Sequence, residues 1–123
     1  MSIRVLLADD HEQMRRAIRT LLACDPKIQV IAEAADLNET LRATSELNPE
    51  VVVMDLYMLK RHKVESADAA SLVARAIPKL IAVSYANDEE AQQLAELCRA
   101  AKLLDKMKLS EELIPAIHES VSA

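Results

Sequence analysis

Short apolar runs alternate with stretches of helical spacing along the whole chain. The runs at 3–8, 28–32, 51–54, 79–83 and 102–105 have the length and branched-aliphatic content of strands. After the first run, Met14, Ala17, Ile18, Leu21 and Leu22 recur at helical spacing, and Asp25-Pro26 stops that helix. Asp36 followed by Glu39 predicts a capping box, with Leu37, Leu41, Thr44 and Leu47 on one helical face. Asn48-Pro49 marks a turn into the third run. An alanine-rich stretch at 66–77 predicts a helix that Pro78 ends. Asn87 with Glu90 signals a second cap, opening a helix through Ala91, Leu94, Ala95 and Cys98. Ser110 is expected to cap a last helix carrying Leu113, Ile114, Ile117 and Val121. Pro115 inside it should remove a backbone hydrogen bond and bend its first turns.

The count is five strands and five helices in strict alternation. That predicts an α/β fold: a five-stranded parallel sheet, doubly wound, with helices on both faces. The near-continuous apolar character of 51–54 and 80–83 suits strands buried on both sides. In open sheets of this kind the site lies at the carboxyl ends of the strands, beside the point where strand order reverses.

Three of the runs end in groups suited to phosphate. The first leads into Asp9-Asp10, the third into Asp55, and Leu103-Leu104 reaches Lys106 two positions later. On a parallel sheet these groups converge at one edge. Crowded carboxylates repel, and each resists ionising unless a cation sits among them. A hard ion such as Mg²⁺, held by carboxylates and phosphate oxygens, answers that repulsion. An isolated strand-end Asp more often caps the following helix. Three carboxylates behind two apolar runs favour a metal-dependent phosphate site instead.

Composition narrows the function classes. At 123 residues, with 51% hydrophobic and 28% charged residues, the chain fits one soluble globular domain. No apolar run comes near the roughly 20 residues of a membrane span, and no signal-peptide pattern opens the chain. Cys24 and Cys98 lack motif spacing and read as reduced, core or semi-buried thiols of a cytoplasmic protein. A net charge of −5 argues against the domain itself binding nucleic acid. There is no glycine, which excludes phosphate-binding loops of the P-loop and dinucleotide types. Phe and Trp are absent too, so a base-stacking platform is not expected. His11, His62 and His118 share no metal-ligand spacing, and the run Lys60-Arg61-His62-Lys63 reads as a solvated face.

The segments Leu7-Ala8-Asp9-Asp10-His11, Met54-Asp55-Leu56-Tyr57-Met58, Ala82-Val83-Ser84 and Leu104-Asp105-Lys106 resemble the receiver domain of two-component response regulators. The likeness spans essentially the whole chain, and its form is closest to receivers that often precede a helix-turn-helix output domain. The resemblance implies a flavodoxin-like fold and one receiver domain over residues 1–123. It implies that Asp55 is the phosphoacceptor, taking its group from a sensor histidine kinase or phosphotransfer protein. Asp10, Asp55 and the backbone carbonyl of Tyr57 would hold Mg²⁺, with Asp9 assisting. Lys106 would pair with a phosphate oxygen, and Ser84 would turn its hydroxyl toward the attached phosphate. Such a domain assists its own phosphorylation and dephosphorylation without being an enzyme, and a second copy of the chain is a further candidate partner.

Departures from the family pattern are also legible. Leu103 stands where a Tyr or Phe usually swings inward on activation, and 58–63 lack the usual proline and glycines. Tyr57 and Ala86 occupy positions that, in the family, influence phosphate loss to water. Two alternatives stay open: a pseudo-receiver acting as a phosphorylation-independent interaction module, and a Mg²⁺-dependent phosphohydrolase. The hydrolase would usually want a second acid where Tyr57 stands.

Overall fold

The computed structural model describes residues 2–61, 66–85 and 88–122. The chain runs β1 (Ile3–Ala8), α1 (Glu12–Leu22), β2 (Ile28–Ala34), α2 (Leu37–Leu47), β3 (Val51–Asp55) and α3 (Tyr57–Lys60). It continues through α4 (Ser66–Ala76), β4 (Leu80–Ser84), α5 (Glu89–Leu97), β5 (Lys102–Asp105), a 3₁₀ turn at Lys106–Lys108 and α6 (Leu109–Val121). All strand pairs are parallel, in the order β2-β1-β3-β4-β5. The expected doubly wound sheet is therefore present.

Alternation along the strands divides the core. Leu6, Ala8, Val52, Met54, Leu80 and Ala82 face the side covered by α2, α3, α4 and α5. Val5, Leu7, Val51, Val53, Ile81 and Val83 face α1 and α6. Because β1, β3 and β4 bury both faces, their sequences read as unbroken apolar runs rather than alternating ones. The edge strand β2 takes up one irregularity, its register against β1 shifting between Val5 and Leu6.

Several local expectations need correction. The described residues hold six helices rather than five, because Met58 and Leu59 are buried and draw the segment after β3 into a short helical turn. The strand expected at 28–32 continues to Ala34. Ser110 does not cap the last helix; α6 starts at Leu109 with Lys108 as N-cap and no side-chain cap bond. Asp105 caps the preceding 3₁₀ turn instead, accepting from the Met107 amide at 2.8 Å. Asn87 lies outside the described residues, and α5 is capped by Asp88, which accepts from the Ala91 amide at 2.9 Å.

The capping box at α2 forms with a displaced partner. Asp36 accepts from the Glu39 amide at 2.8 Å, while Glu39 accepts from Ala35 rather than from Asp36. On the same helix Leu47 is exposed, and buried Thr40 and Thr44 turn their hydroxyls back onto the carbonyls of Asp36 and Thr40 at 2.7 Å each. Cys24 is exposed in the turn after α1, whereas Cys98 is buried and its thiol is pushed up to about 12 by burial.

With no glycine available, left-handed backbone falls to Asn48 (φ 48°) and Arg99 (φ 58°). Arg99 follows α5, donating its amide to Glu96 while the Ala100 amide donates to Ala95, both at 3.0 Å. That pair of bonds is a Schellman stop built without its usual glycine.

Candidate functional site

Strand order reverses between β1 and β3, and there the register sets Ala8 beside Met54. Asp9 and Asp55 are the next residues of the two strands. Lys106 follows β5, whose Asp105 pairs with Ser84 of β4. The Lys106 ammonium reaches back across the sheet edge to Asp9 Oδ2 at 2.9 Å and Asp55 Oδ2 at 3.2 Å. All three side chains are 2% exposed or less, so the cation is buried between two carboxylates.

Each carboxylate is further held by its own loop. Asp9 Oδ1 accepts from the His11 amide at 2.9 Å, and the Asp9 carbonyl accepts from Arg15 at 2.5 Å. Asp55 Oδ1 accepts from the Tyr57 amide at 3.0 Å. Burial raises the Asp55 pKa above its ordinary value; Lys106 and the Tyr57 amide pull it back, and Asp9 adds to the rise. Burial wins.

Asp10 sits at the rim. Its carboxylate forms an ion pair with Arg61, and its Oδ1 lies 3.1 Å from His11 Nδ1. Asp10 Oδ1 and Asp55 Oδ2 are buried without a hydrogen bond. Asp9, Asp10, His11 and Asp55 each offer one ligand atom, all within 4.8 Å of one another. Two buried carboxylate oxygens with no well-formed hydrogen bond, each beside a single nitrogen of Lys106 or His11, fit a divalent cation.

The structure brings Asp9, Asp10, Asp55 and Lys106 together as expected. Tyr57 contributes its amide to Asp55, while its ring is partly exposed and lies over Lys60 and Arg61, 5.1 and 5.4 Å from centroid to cation. Ser84 is buried at the end of β4, where it lines a neighbouring cleft with Leu56, Tyr57, Lys60 and Asp88. Asp55 and Lys106 line a different cavity of about 300 Å³ with His11, Tyr57, Arg61 and Tyr85. Leu103 is partly buried against the core on the α2–α5 side.

Three participants escaped the sequence reading. Tyr85 covers the Lys106 ammonium at 4.9 Å, and His11 joins the acidic cluster. Arg61 is bound to Asp10, and Lys60 pairs with Glu90 at 3.1 Å; both stay exposed, as expected of a solvated face, but are ion-paired on it. His11 was signalled by its position directly after Asp10; nothing in the sequence pairs residue 61 with residue 10. His62, Lys63 and Ala86 lie outside the described residues.

A family model, the response regulator receiver domain, matches residues 5–118. The transcriptional regulatory protein LiaR of Bacillus subtilis (strain 168) is 36% identical over 112 residues, covering 89% of this chain and 52% of that protein. The response regulator protein VraR of Staphylococcus aureus (strain Mu3) is 31% identical over 93 residues, covering 73% of this chain and 43% of that protein. The chain thus spans about half the length of these relatives. Among solved structures, the response regulator domain of Thermotoga maritima CheB superposes with a TM-score of 0.82 at 25% identity, covering 100% of this chain and 98% of that one.

Proposed function

The chain belongs to the response regulator receiver family, and from that premise we propose that it is a switch that accepts a phosphoryl group on Asp55. The donor is a phosphohistidine of a sensor histidine kinase or phosphotransfer protein. The observation that carries the reading is the buried Asp9–Lys106–Asp55 cluster at the ends of β1, β5 and β3. An Asp55 oxygen attacks phosphorus as the bond between imidazole nitrogen and phosphorus breaks, and the imidazole leaves with the electron pair. The Tyr57 amide holds the attacking carboxylate in place.

Asp10, Asp55 and the Tyr57 backbone carbonyl would hold Mg²⁺, with Asp9 assisting. When bound, the ion neutralises charge on the transferring group. Lys106 supplies a point charge to a phosphoryl oxygen. Ser84 moves from its neighbouring cleft to donate to the attached phosphate, which biases the region around α5 and β5. At Leu103 that bias is transmitted by aliphatic packing, with no ring to flip. The chemistry stops on the protein's own carboxylate, so the domain (residues 1–123) is a signalling element rather than a turnover enzyme. It works in the cytoplasm, off the membrane and without binding nucleic acid itself, and a second copy is a candidate partner. LiaR's description as a transcriptional regulatory protein supports a role upstream of a DNA-binding output.

Incubating the native chain and Asp55→Asn with Mg²⁺ and acetyl phosphate tests this by intact mass. One phosphoryl adduct is expected on the native chain and none on the variant. Absence of an Asp55-dependent adduct would favour a phosphorylation-independent interaction module, and sustained release of phosphate from a phosphomonoester would favour a hydrolase.

A further inference from the structure

One carboxylate of the acidic cluster is held by a cation of the chain itself. Arg61 follows the single turn of α3, and its guanidinium pairs with Asp10 Oδ2. The pair is half accessible: the Arg61 side chain is 47% exposed and that of Asp10 25%. Buried Met58 and Leu59 anchor the turn from below, and the Tyr57 ring lies against the guanidinium. A guanidinium does not give up its proton in a protein, so it cannot yield Asp10 by neutralising itself. Arg61 holds Oδ2 and leaves Oδ1 to an ion, yet a divalent ion and an arginine on one carboxylate repel each other, so each weakens the other's hold.

There is room for Arg61 to leave. A cleft of about 210 Å³ opens beside the pair, lined by Asp10, Ala35, Asp36, Leu37, Met58 and Arg61 itself. Asp36 offers a second, exposed carboxylate on that wall. Lys60, one residue earlier, is engaged elsewhere, with Glu90.

We propose that Arg61 is a built-in competitor for the divalent ion: it holds Asp10 when the ion is absent and swings toward Asp36 before the ion binds. The inference rests on the reading of Asp9, Asp10 and Asp55 as the Mg²⁺ site. Its consequence is a higher Mg²⁺ requirement than the carboxylates alone would impose, set by how firmly Arg61 holds Asp10.

The test titrates nitrogen-15-labelled native chain, Arg61→Gln and Lys60→Gln with MgCl₂ at constant ionic strength, following the amide shifts around Asp10 and Asp55. The spectra also report whether each variant is folded. Arg61→Gln is expected to lower the Kd about three- to ten-fold, the range for losing a half-exposed charge-assisted pair. Lys60→Gln removes the same charge close by without touching Asp10, and its Kd should stay within about two-fold of native. Equal tightening in both variants would assign the effect to net charge and overturn the proposal. An unchanged Kd in Arg61→Gln would overturn it while leaving the metal site standing. Absence of saturable shifts in all three proteins would remove the metal reading itself, and this inference with it.

Discussion

Asp55 carries its charge in a place that disfavours it. Burial raises its pKa against the opposing pull of Lys106, so the folded chain binds this proton at a higher pH than the unfolded chain does. Whatever stability the protonated group confers is lost as pH rises through that raised value. At neutral pH, Asp55→Asn should therefore be the more stable protein, by about 1 kcal/mol or roughly 3–6 °C in Tm. The gap should close as pH falls toward the ordinary carboxylate value of 3.8. Thermal melts of both proteins by circular dichroism across that range check it; an Asn variant that is less stable at pH 7 would mean that Lys106 outweighs burial. Lys106 is the converse case. Its removal strands two buried carboxylates, so Lys106→Met should destabilise the fold by about 2–4 kcal/mol in urea titrations. Adding Asp55→Asn to Lys106→Met should recover part of that loss, because the two groups share one cluster.

Elements were legible where their signals are local. The apolar runs predicted five strands and each is present; β1, β3 and β4 were the plainest, because a strand buried on both faces needs no partner information to look apolar. Cap residues were less secure. Asp36 was found, but the last helix begins one residue before Ser110, since Lys106–Lys108 first makes a 3₁₀ turn that brings the Lys106 side chain back over the sheet edge. The turn after β3 could not be read, because two buried side chains, Met58 and Leu59, decide it through contacts with distant helices. Pro115 is inside α6 as expected, and exposed, so its missing amide leaves the Glu111 carbonyl without the usual partner. Pro115→Ala should stabilise the protein by about 1–3 kcal/mol, read as a higher urea midpoint with an unchanged slope.

At the scale of the whole molecule, side chains tie the C-terminal part of the chain back onto its beginning. Lys106 and Asp9 meet across 97 positions, and His118 of α6 meets Asp25, in the turn after α1, across 93. The His118 hydrogen bond is the main cause of the lowered Asp25 pKa, followed by the Lys27 amide. A lowered carboxylate pKa contributes stability above the ordinary value of 3.8, which is lost as pH falls through the lowered one. His118→Gln should return the Asp25 pKa toward 3.8, as followed by carboxyl carbon shifts in an NMR titration; an unmoved Asp25 would put the effect on Lys27 instead. By itself the sequence determined the fold class and the sheet edge at which Asp9, Asp10, Asp55 and Lys106 meet. These follow from periodicity and from the residue that ends each run, both local properties of the chain. Only the tertiary structure decided how those groups are neutralised: Lys106 between Asp9 and Asp55, Arg61 on Asp10, and Ser84 in an adjoining cleft. Ion pairs between remote residues are set by packing and burial in three dimensions, and no spacing along the chain encodes them.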